Sequence, residues 1–172
     1  QRVTKRLYKV RLNDPSVIDL HRSVSVGGTA YNCAYIELGD PGIPHAIVLM
    51  PDWDERDHDM LRALGRPLRF AEEFPRGANV SFVKVVDVGH VKAITYERGV
   101  EDFTLACGTG CGSIAAALRL LGLSSDELAI SMPGGELTVS LTASGGSVQD
   151  IYLTGPTNVV CTGDILDEDV LG

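Results

Sequence analysis

The chain has 172 residues, of which 44% are hydrophobic and 22% charged, a composition typical of a folded globular protein rather than a disordered or fibrous one. Its formal net charge of −8 argues against a nucleic-acid partner, because a phosphate backbone would be repelled. No apolar run reaches the roughly 18 residues that a membrane helix needs, and the basic N-terminus lacks the apolar segment of a signal peptide. The sequence therefore predicts a cytoplasmic protein without a membrane partner.

Alternating apolar and polar residues, bounded by glycine, proline, asparagine and aspartate, predict a chain built mainly of strands. The predicted strands cover residues 7–12, 23–26, 29–38, 46–50, 79–86, 91–96, 128–132, 137–141, 148–154 and 158–162. The second and third form a hairpin on Gly27-Gly28, since both positions accept positive φ. A short helix is predicted at residues 60–64.

One helix stands out in the second half of the chain. Residues 113–121 are apolar and rich in alanine and leucine, and Gly122 is a typical helix stop. We expect this helix to begin a turn earlier, within residues 108–112. The predicted fold class is therefore a strand-dominated α+β domain with one buried central helix.

The segment before this helix carries the chemistry. Glycines crowd around Cys107, and they let the backbone approach a ligand closely. Free N–H groups at a helix start attract an anion, and the same positive end lowers the pKa of a thiol. The pattern predicts a thiolate that removes a proton next to a bound carboxylate. Alternatively, Cys107 is a small buried hydrophobe and residues 108–112 only pack tightly.

The four cysteines are too few for a disulfide scaffold and lack C-x-x-C spacing, so we expect free thiols and no metal site. Cys33 lies in a predicted strand that has no glycine beside it, and Cys161 is likewise a residue of a predicted strand. Cys111 is one helical turn beyond Cys107 and is expected to face the helix packing. Cys107 is therefore the thiol in a setting suited to catalysis.

Several segments resemble the diaminopimelate epimerase family. Residues 105–110, Leu-Ala-Cys-Gly-Thr-Gly, preceded by Tyr-Glu-Arg-Gly-Val at 96–100, look like the second catalytic motif of that family. Four further segments are similar to family segments and occur in the same order, at residues 44–48, 76–83, 132–137 and 153–156. The resemblance covers nearly the whole chain.

The resemblance implies a fold and a mechanism. Family members have two pseudo-symmetric halves, each a barrel-like sheet wrapped around a central helix, with an amino-acid substrate between them. One cysteine from each half exchanges a proton at the α-carbon, without pyridoxal phosphate, metal or another cofactor. By this resemblance residues 1–172 are the C-terminal half, in which 1–12 connect the halves and 163–172 form a tail. The missing N-terminal half is then a required partner, and a homodimer is left open.

The resemblance also assigns catalytic roles. Cys107 is one of the two acid/base thiols, and His45 and Glu97 lie near it and tune its proton affinity. Without the resemblance, His45 could equally be a satisfied core histidine. Glu97 could belong to a solvated charge pair with Arg98.

Five residues are assigned to substrate binding. Gly108 and Thr109 would hold the α-carboxylate through N–H groups and a hydroxyl, with Glu97 beside them. Arg98 and Asn79 would bind the distal end, where a planar guanidinium suits a carboxylate. The alternative for Asn79 is that it caps a turn.

The chain departs from the family pattern in three ways. The glycine-flanked cysteine motif of the first half is absent, so this polypeptide is predicted not to racemise a substrate by itself. Either Ile43 replaces the asparagine that binds the distal group in the family, or an insertion shifts Asp40 into that neighbourhood. Phe103 belongs to a longer segment that we expect to alter the cleft. These changes leave open a related racemase or isomerase for another amino acid or carboxylic acid. A non-catalytic anion-binding domain is the remaining alternative.

Overall fold

The computed structural model describes residues 1–163, and within them ten strands form one mixed sheet that is accompanied by two α-helices. The strands are β1 (Leu7–Arg11), β2 (Pro15–Val26), β3 (Thr29–Leu38), β4 (Ile43–Leu49), β5 (Asn79–Asp87), β6 (His90–Glu97), β7 (Asp102–Phe103), β8 (Glu127–Met132), β9 (Gly135–Ser144) and β10 (Ser147–Pro156). The helices are α1 (His58–Arg69), preceded by a 3₁₀ turn at Glu55–Asp57, and α2 (Gly108–Leu120). Neither helix is long and apolar enough to cross a membrane.

The sheet has the strand order β1-β10-β9-β8-β6-β5-β4-β3-β2, with β7 added beside β6. Only the β4–β5 and β6–β8 pairs are parallel. Leu12 still donates to the Ile151 carbonyl beside β10, while the Asp14 carbonyl already accepts from Gly39 beside β3. The chain thus passes from one edge of the sheet to the other within three residues.

The predicted α+β class is confirmed, and the expected barrel is corrected to an open sheet. β1 and β2 are the two edges, and within residues 1–163 no ladder joins them. Residues 7–11 of the predicted connecting segment form β1, paired with β10.

Helix α2 forms the centre of the main core. Residues 110–118 are all buried, and the sheet curls around them. The helix is apolar on every side, which is the pattern of a helix enclosed by other elements. It begins at Gly108, within the predicted interval, and is followed by Gly122 at φ +74°.

Helix α1 covers the outer face of the sheet. Leu61 and Leu68 are fully buried in a second core that includes Phe82 and Tyr96. The helix is longer than the predicted 60–64 and continues through Pro67, because its apolar stripe remains packed on the strands.

Two other boundaries differ from prediction. β2 begins at Pro15 instead of residue 23, since Pro15 to Val26 can pair along β3. The predicted strand at 158–162 is wrong: the ladder with β1 ends at Pro156, and Val159 and Val160 are exposed without a strand beside them. Of the predicted tail, residues 164–172 lie outside the described residues.

Candidate active site

Strand ends and the start of α2 meet at one edge of the sheet. His45 near the start of β4 is the register partner of Asn79 at the start of β5, and Glu97 ends the antiparallel β6. The first turn of α2 lies over these ends, where Thr109 contacts His45. The topology therefore brings together residues that are more than 60 positions apart in the sequence.

Cys107 is the N-cap residue of α2. Its extended backbone (φ −128°, ψ 105°) turns the chain into the helix, and its carbonyl accepts the first helical hydrogen bond from Cys111 at 2.9 Å. No side chain among the described residues caps this end, and the first turn holds no acidic residue. The N–H groups of Gly108 and Thr109, which the first helical turn leaves unpaired, are therefore suited to binding an anion.

The Cys107 thiol is packed against this first turn. The residue is 7% exposed, and its Sγ lies 3.9 Å from the Thr109 hydroxyl. A Cβ on Gly110 would lie 3.1 Å from Sγ and 3.5 Å from Cε1 of His45. Glycine at this position lets the thiol and the imidazole share the space beside the helix.

The predicted thiolate near neutral pH is wrong for this conformation. Burial and the Glu97 carboxylate raise the pKa of Cys107 to about 11, although the Gly110 N–H and the Thr109 hydroxyl act in the opposite direction. The positive helix end is outweighed because the thiol is withdrawn from water beside a negative charge. Cys107 is thus a protonated thiol at neutral pH.

His45 is fully buried and lies in the same chain of contacts. Its Nε2 is 3.0 Å from the Thr109 hydroxyl, and its Nδ1 has no partner among the described residues. Burial and the Arg98 guanidinium lower the pKa of His45 to about 3, so the imidazole is neutral. It is both a core residue and a direct neighbour of the groups around Cys107.

The side chains of Glu97 and Arg98 form hydrogen bonds with different partners. Glu97 accepts a hydrogen bond from the Thr104 hydroxyl at 2.6 Å, and this hydroxyl is also 3.5 Å from the Ala106 carbonyl. The exposed Arg98 donates from Nη1 to the carbonyl of Arg76 at 2.9 Å. In the described part of the chain the two do not form the charge pair considered above.

Asn79 is buried and joins strand ends. Its amide nitrogen donates to the Pro44 carbonyl at 3.2 Å, and its amide oxygen accepts from the Arg98 backbone N–H at 2.8 Å. These contacts resemble a structural cap more than an open binding group. Its role in substrate binding stays a prediction.

A second polar cluster beside the site could not be predicted from the sequence. The Tyr35 hydroxyl donates to the carboxylate of Glu37 at 2.5 Å, and Arg76 pairs with the other oxygen of that carboxylate. Arg76 also donates to the Gly42 carbonyl at 3.4 Å. The alternation of Tyr35 and Glu37 on one face of a strand was the available signal, whereas Arg76 is 39 residues away.

The residues that depart from the family pattern occupy different places. Ile43 is 41% exposed, directly before Pro44 and His45. Phe103, which we expected to alter the cleft, instead packs on the α1 side, with its ring 6.0 Å from that of Tyr96 and 5.8 Å from His58. This correction follows from its pairing with Tyr96, which fixes the face of the sheet that Phe103 shares.

The other three cysteines are either buried in the cores or exposed on the surface. Burial raises the pKa of Cys33 to about 11 and that of Cys111 to about 12, and both are fully buried in the cores. Cys161 is exposed. All four thiols are free within residues 1–163.

Two surface cavities of about 650 and 970 Å³ do not include Cys107. The smaller one is lined by Met50, Leu121 and neighbouring residues at the far end of α2, and the larger one lies around Trp53 and Lys84 on the outer face. The titratable groups and the uncapped helix start make the surroundings of Cys107 the candidate site.

Comparison with known proteins identifies the family. The family model described as Diaminopimelate epimerase matches residues 39–160. The chain belongs to the diaminopimelate epimerase family. It is 27% identical over 159 residues to the diaminopimelate epimerase of Alkaliphilus metalliredigens, and 35% identical over 127 residues to that of Methanothrix thermoacetophila. These matches cover 92% and 74% of the chain.

The chain spans about half the length of these relatives, 52% of the first and 42% of the second. Its fold is similar to that of a hydroxyproline epimerase from Agrobacterium vitis, with a TM-score of 0.68 at 19% identity, over 88% of this chain and 50% of that one. The predicted family is confirmed, and the relatives are epimerases, a class of isomerase.

Proposed function

We propose that this chain supplies one half of a cofactor-independent amino-acid epimerase site in which Cys107 exchanges a proton at the substrate α-carbon. The observation that carries the proposal is the position of this thiol at the uncapped start of α2, beside a carboxylate and a neutral histidine. The family relationship supports the reaction class. Diaminopimelate is the proposed substrate of the complete two-half enzyme.

The start of α2 would bind the substrate carboxylate. The N–H groups of Gly108 and Thr109 and the positive end of the helix favour an anion there. A carboxylate held at this end places the adjacent α-carbon within reach of the Cys107 thiol. Binding also stabilises negative charge that develops as the α-proton leaves.

Cys107 would act as acid in one direction and as base in the other. When a base on the opposite side removes the α-proton, the C–H electron pair stays on the substrate and the Cys107 S–H delivers a proton to the other face. This leaves a thiolate. In the reverse direction this thiolate takes the α-proton while the opposing group delivers one to the other face, and the Glu97 carboxylate beside it strengthens the thiolate as a base.

His45 and Thr109 would keep this thiol oriented. The neutral imidazole contacts the Thr109 hydroxyl, which in turn lies beside Sγ. A neutral histidine orients the hydroxyl without adding a cation that would compete for the substrate carboxylate. Arg98 is proposed to bind the distal end of the substrate, positioned by its backbone contact with Asn79.

The second thiol belongs to the other half of the site. Cys33 and Cys111 are buried in the cores, so they are not proposed as the opposing acid/base group. One thiol serves one face of the α-carbon, and the chain by itself is therefore proposed to be inactive as an epimerase. Diaminopimelate recognition requires the complementary half.

A second candidate function is epimerisation of a different amino acid or of another carboxylic acid. The exposed Ile43 favours it, since an apolar side chain next to Pro44 and His45 offers no hydrogen bond to a polar distal group. The thiol chemistry would be unchanged. Only the distal group of the substrate would differ.

The proposal is tested by α-proton exchange in deuterium oxide. The chain is assayed alone and complemented with the N-terminal half of a diaminopimelate epimerase, with diaminopimelate and with single amino acids, by mass spectrometry. We expect deuterium incorporation only in the complemented protein, and its loss in Cys107→Ser but not in Cys33→Ser. No exchange with any amino acid, or equal losses in the two variants, would refute the assignment.

A further inference from the structure

The turn at residues 98–104 connects the Glu97 carboxylate to the Cys107 segment. Its first half is closed by a hydrogen bond from the Glu101 N–H to the Glu97 carbonyl at 2.8 Å. Its second half returns along β6, where the Thr104 N–H donates to the Thr95 carbonyl at 3.3 Å. The Thr104 hydroxyl then contacts both Glu97 and the Ala106 carbonyl. The path of this turn therefore decides where the Glu97 carboxylate lies.

Glu101 holds the turn in a conformation that is uncommon for its residue type. Its φ is +60°, in the left-handed region that side chains other than glycine seldom adopt. Its carboxylate oxygen Oε1 accepts from the Gly99 N–H at 3.0 Å, which closes the turn on itself. A strained residue of this kind persists only when surrounding contacts fix it.

Arg69, near the end of α1, supplies such a contact. Its Nε and Nη2 lie 3.2 and 3.1 Å from the same oxygen of Glu101. The two side chains are only 12% and 28% exposed, so solvent screens this ion pair less than a surface pair. A Cβ on Gly77 would lie 1.9 Å from Nη1 of Arg69, so the guanidinium fills space that only glycine leaves free.

We propose that Arg69 and Glu101 are positioning residues, which hold the turn so that the Glu97 carboxylate faces the Cys107 thiol. Arg69 spans three elements, because its carbonyl also accepts from the Ala78 N–H just before Asn79. The side chain of Arg69 thus ties α1 to the turn after β6, while its backbone carbonyl ties the end of α1 to the start of β5. This inference rests on the proposed function of Glu97 and Cys107.

A neighbouring ion pair provides the matched control. Arg62, also on α1, donates to Asp102 of the same turn at 2.7 Å, but these side chains are 44% and 52% exposed. Asp102 is the register partner of Glu97 in the β6–β7 ladder, but among the described residues its side chain forms no hydrogen bond with Glu97 or Glu101, and Arg62→Met leaves that ladder in place. Removing this pair should weaken the packing of the turn without moving the carboxylate.

The test measures the ionisation of Cys107 in the 172-residue chain. Alkylation of Cys107 by iodoacetamide is followed by peptide mass spectrometry between pH 7 and 11.5, in a Cys161→Ser background that removes the exposed thiol. The variants are Glu97→Gln, Arg69→Met, Arg69→Lys and the control Arg62→Met. Thermal unfolding of each variant is recorded alongside.

We expect Glu97→Gln to lower the apparent pKa of Cys107, and both Arg69 variants to lower it by about one unit as the carboxylate leaves the thiol. Loss of the arginine charge alone would raise it, so the sign for Arg69→Met separates positioning from a direct charge effect. Arg69→Lys keeps the charge, and it carries the test if Arg69→Met does not fold. Arg62→Met should leave the profile unchanged.

One result would refute the positioning inference alone, and another would refute the proposed pairing of Glu97 with Cys107. If Glu97→Gln shifts the alkylation profile while both Arg69 variants match the unmodified chain, the positioning inference fails and the role of Glu97 stands. If Glu97→Gln leaves the profile unchanged, the proposed pairing of Glu97 with Cys107 fails. A lower unfolding temperature without a shift in the profile would assign the Arg69–Glu101 pair to stability alone.

Discussion

The two ends of α2 are built in opposite ways. At the C-terminal end Leu121, Gly122 and Leu123 donate in turn to carbonyls of the last helical turns, and Gly122 adopts the left-handed conformation that such a cap favours. At the N-terminal end a thiol occupies the cap position and no described side chain closes the first turn. One end satisfies its backbone groups within the chain, whereas the other leaves them for a ligand.

The C-terminal end of α2 is thus built for stability, and its N-terminal end is built for binding a ligand. A helix start without a cap gives up about 1 kcal/mol of stability that an aspartate or serine would provide. The burial of α2 in the core compensates for that loss, since residues 110–118 are all buried. The open end also holds a buried histidine with an unpaired nitrogen among the described atoms.

The largest predicted effect comes from adding one methyl group in the first turn of α2. The added Cβ of Gly110→Ala would lie 3.1 Å from both Cβ and Sγ of Cys107, so the thiol must move by a few tenths of an ångström. We expect α-proton exchange by the complemented enzyme to fall about tenfold or more, because proton transfer depends steeply on geometry. The measurement is the rate at which deuterium is incorporated into the substrate, for the variant and for the unmodified protein.

Gly122→Ala is the matched control for that change. No atom lies within 4 Å of the added Cβ, but φ is +74°, so the substitution strains the C-terminal cap. It should lower the free energy of unfolding by about 1 kcal/mol and leave exchange unchanged. If both alanine variants lost exchange to the same extent, the division between the two ends would be wrong.

The next prediction concerns the pH dependence of stability at the open end. His45 has a pKa of about 3 in the fold, against 6.5 for the free side chain, because burial disfavours its charged form. The unfolded chain therefore binds a proton that the fold does not, between pH 6.5 and 3. The contribution of His45 to stability is fully present above pH 6.5 and is lost progressively as the pH falls towards 3.

At pH 5 this loss amounts to about 2 kcal/mol relative to neutral pH. Urea unfolding at pH 7.5 and pH 5 should show it in the unmodified chain. His45→Gln should be less stable at pH 7.5, yet should lose about 2 kcal/mol less on acidification. A mutant with the same pH slope as the unmodified chain would show that another group titrates in this range.

The sequence allowed the prediction of α2 and of the residues at its start, because both depend on local patterns. Alanine and leucine between residues 113 and 121 predict a buried helix, and the glycines around Cys107 predict a close approach to a ligand. Neighbouring strands with clear alternation, such as residues 29–38, were predicted with the correct bounds. Local chemistry was sufficient there.

Contacts between distant segments could not be predicted in this way. The thiol pKa was wrongly expected to be low, since the sequence shows the helix start but not the depth of burial or the approach of Glu97. The ion pair of Arg69 with Glu101 joins residues 32 positions apart, and nothing in either local segment indicates it. The strand predicted at 158–162 failed for the same reason, because apolar residues form a strand only where a neighbour can pair with them.

The smallest predicted effect tests a buried hydroxyl one turn inside the open end of α2. Ser113 is fully buried, and its Oγ has no hydrogen-bond partner among the described residues. Such a group loses its hydration on folding without compensation, so Ser113→Ala should raise the free energy of unfolding by up to about 1 kcal/mol. Alanine also favours the helix and leaves the shape of the core nearly unchanged. Because the Ser113 hydroxyl has no hydrogen bond to Cys107 among the described residues, exchange by the complemented enzyme should not change. A destabilised Ser113→Ala, measured by urea unfolding, would mean that this hydroxyl is satisfied in solution and that the polar part of α2 extends further into the core.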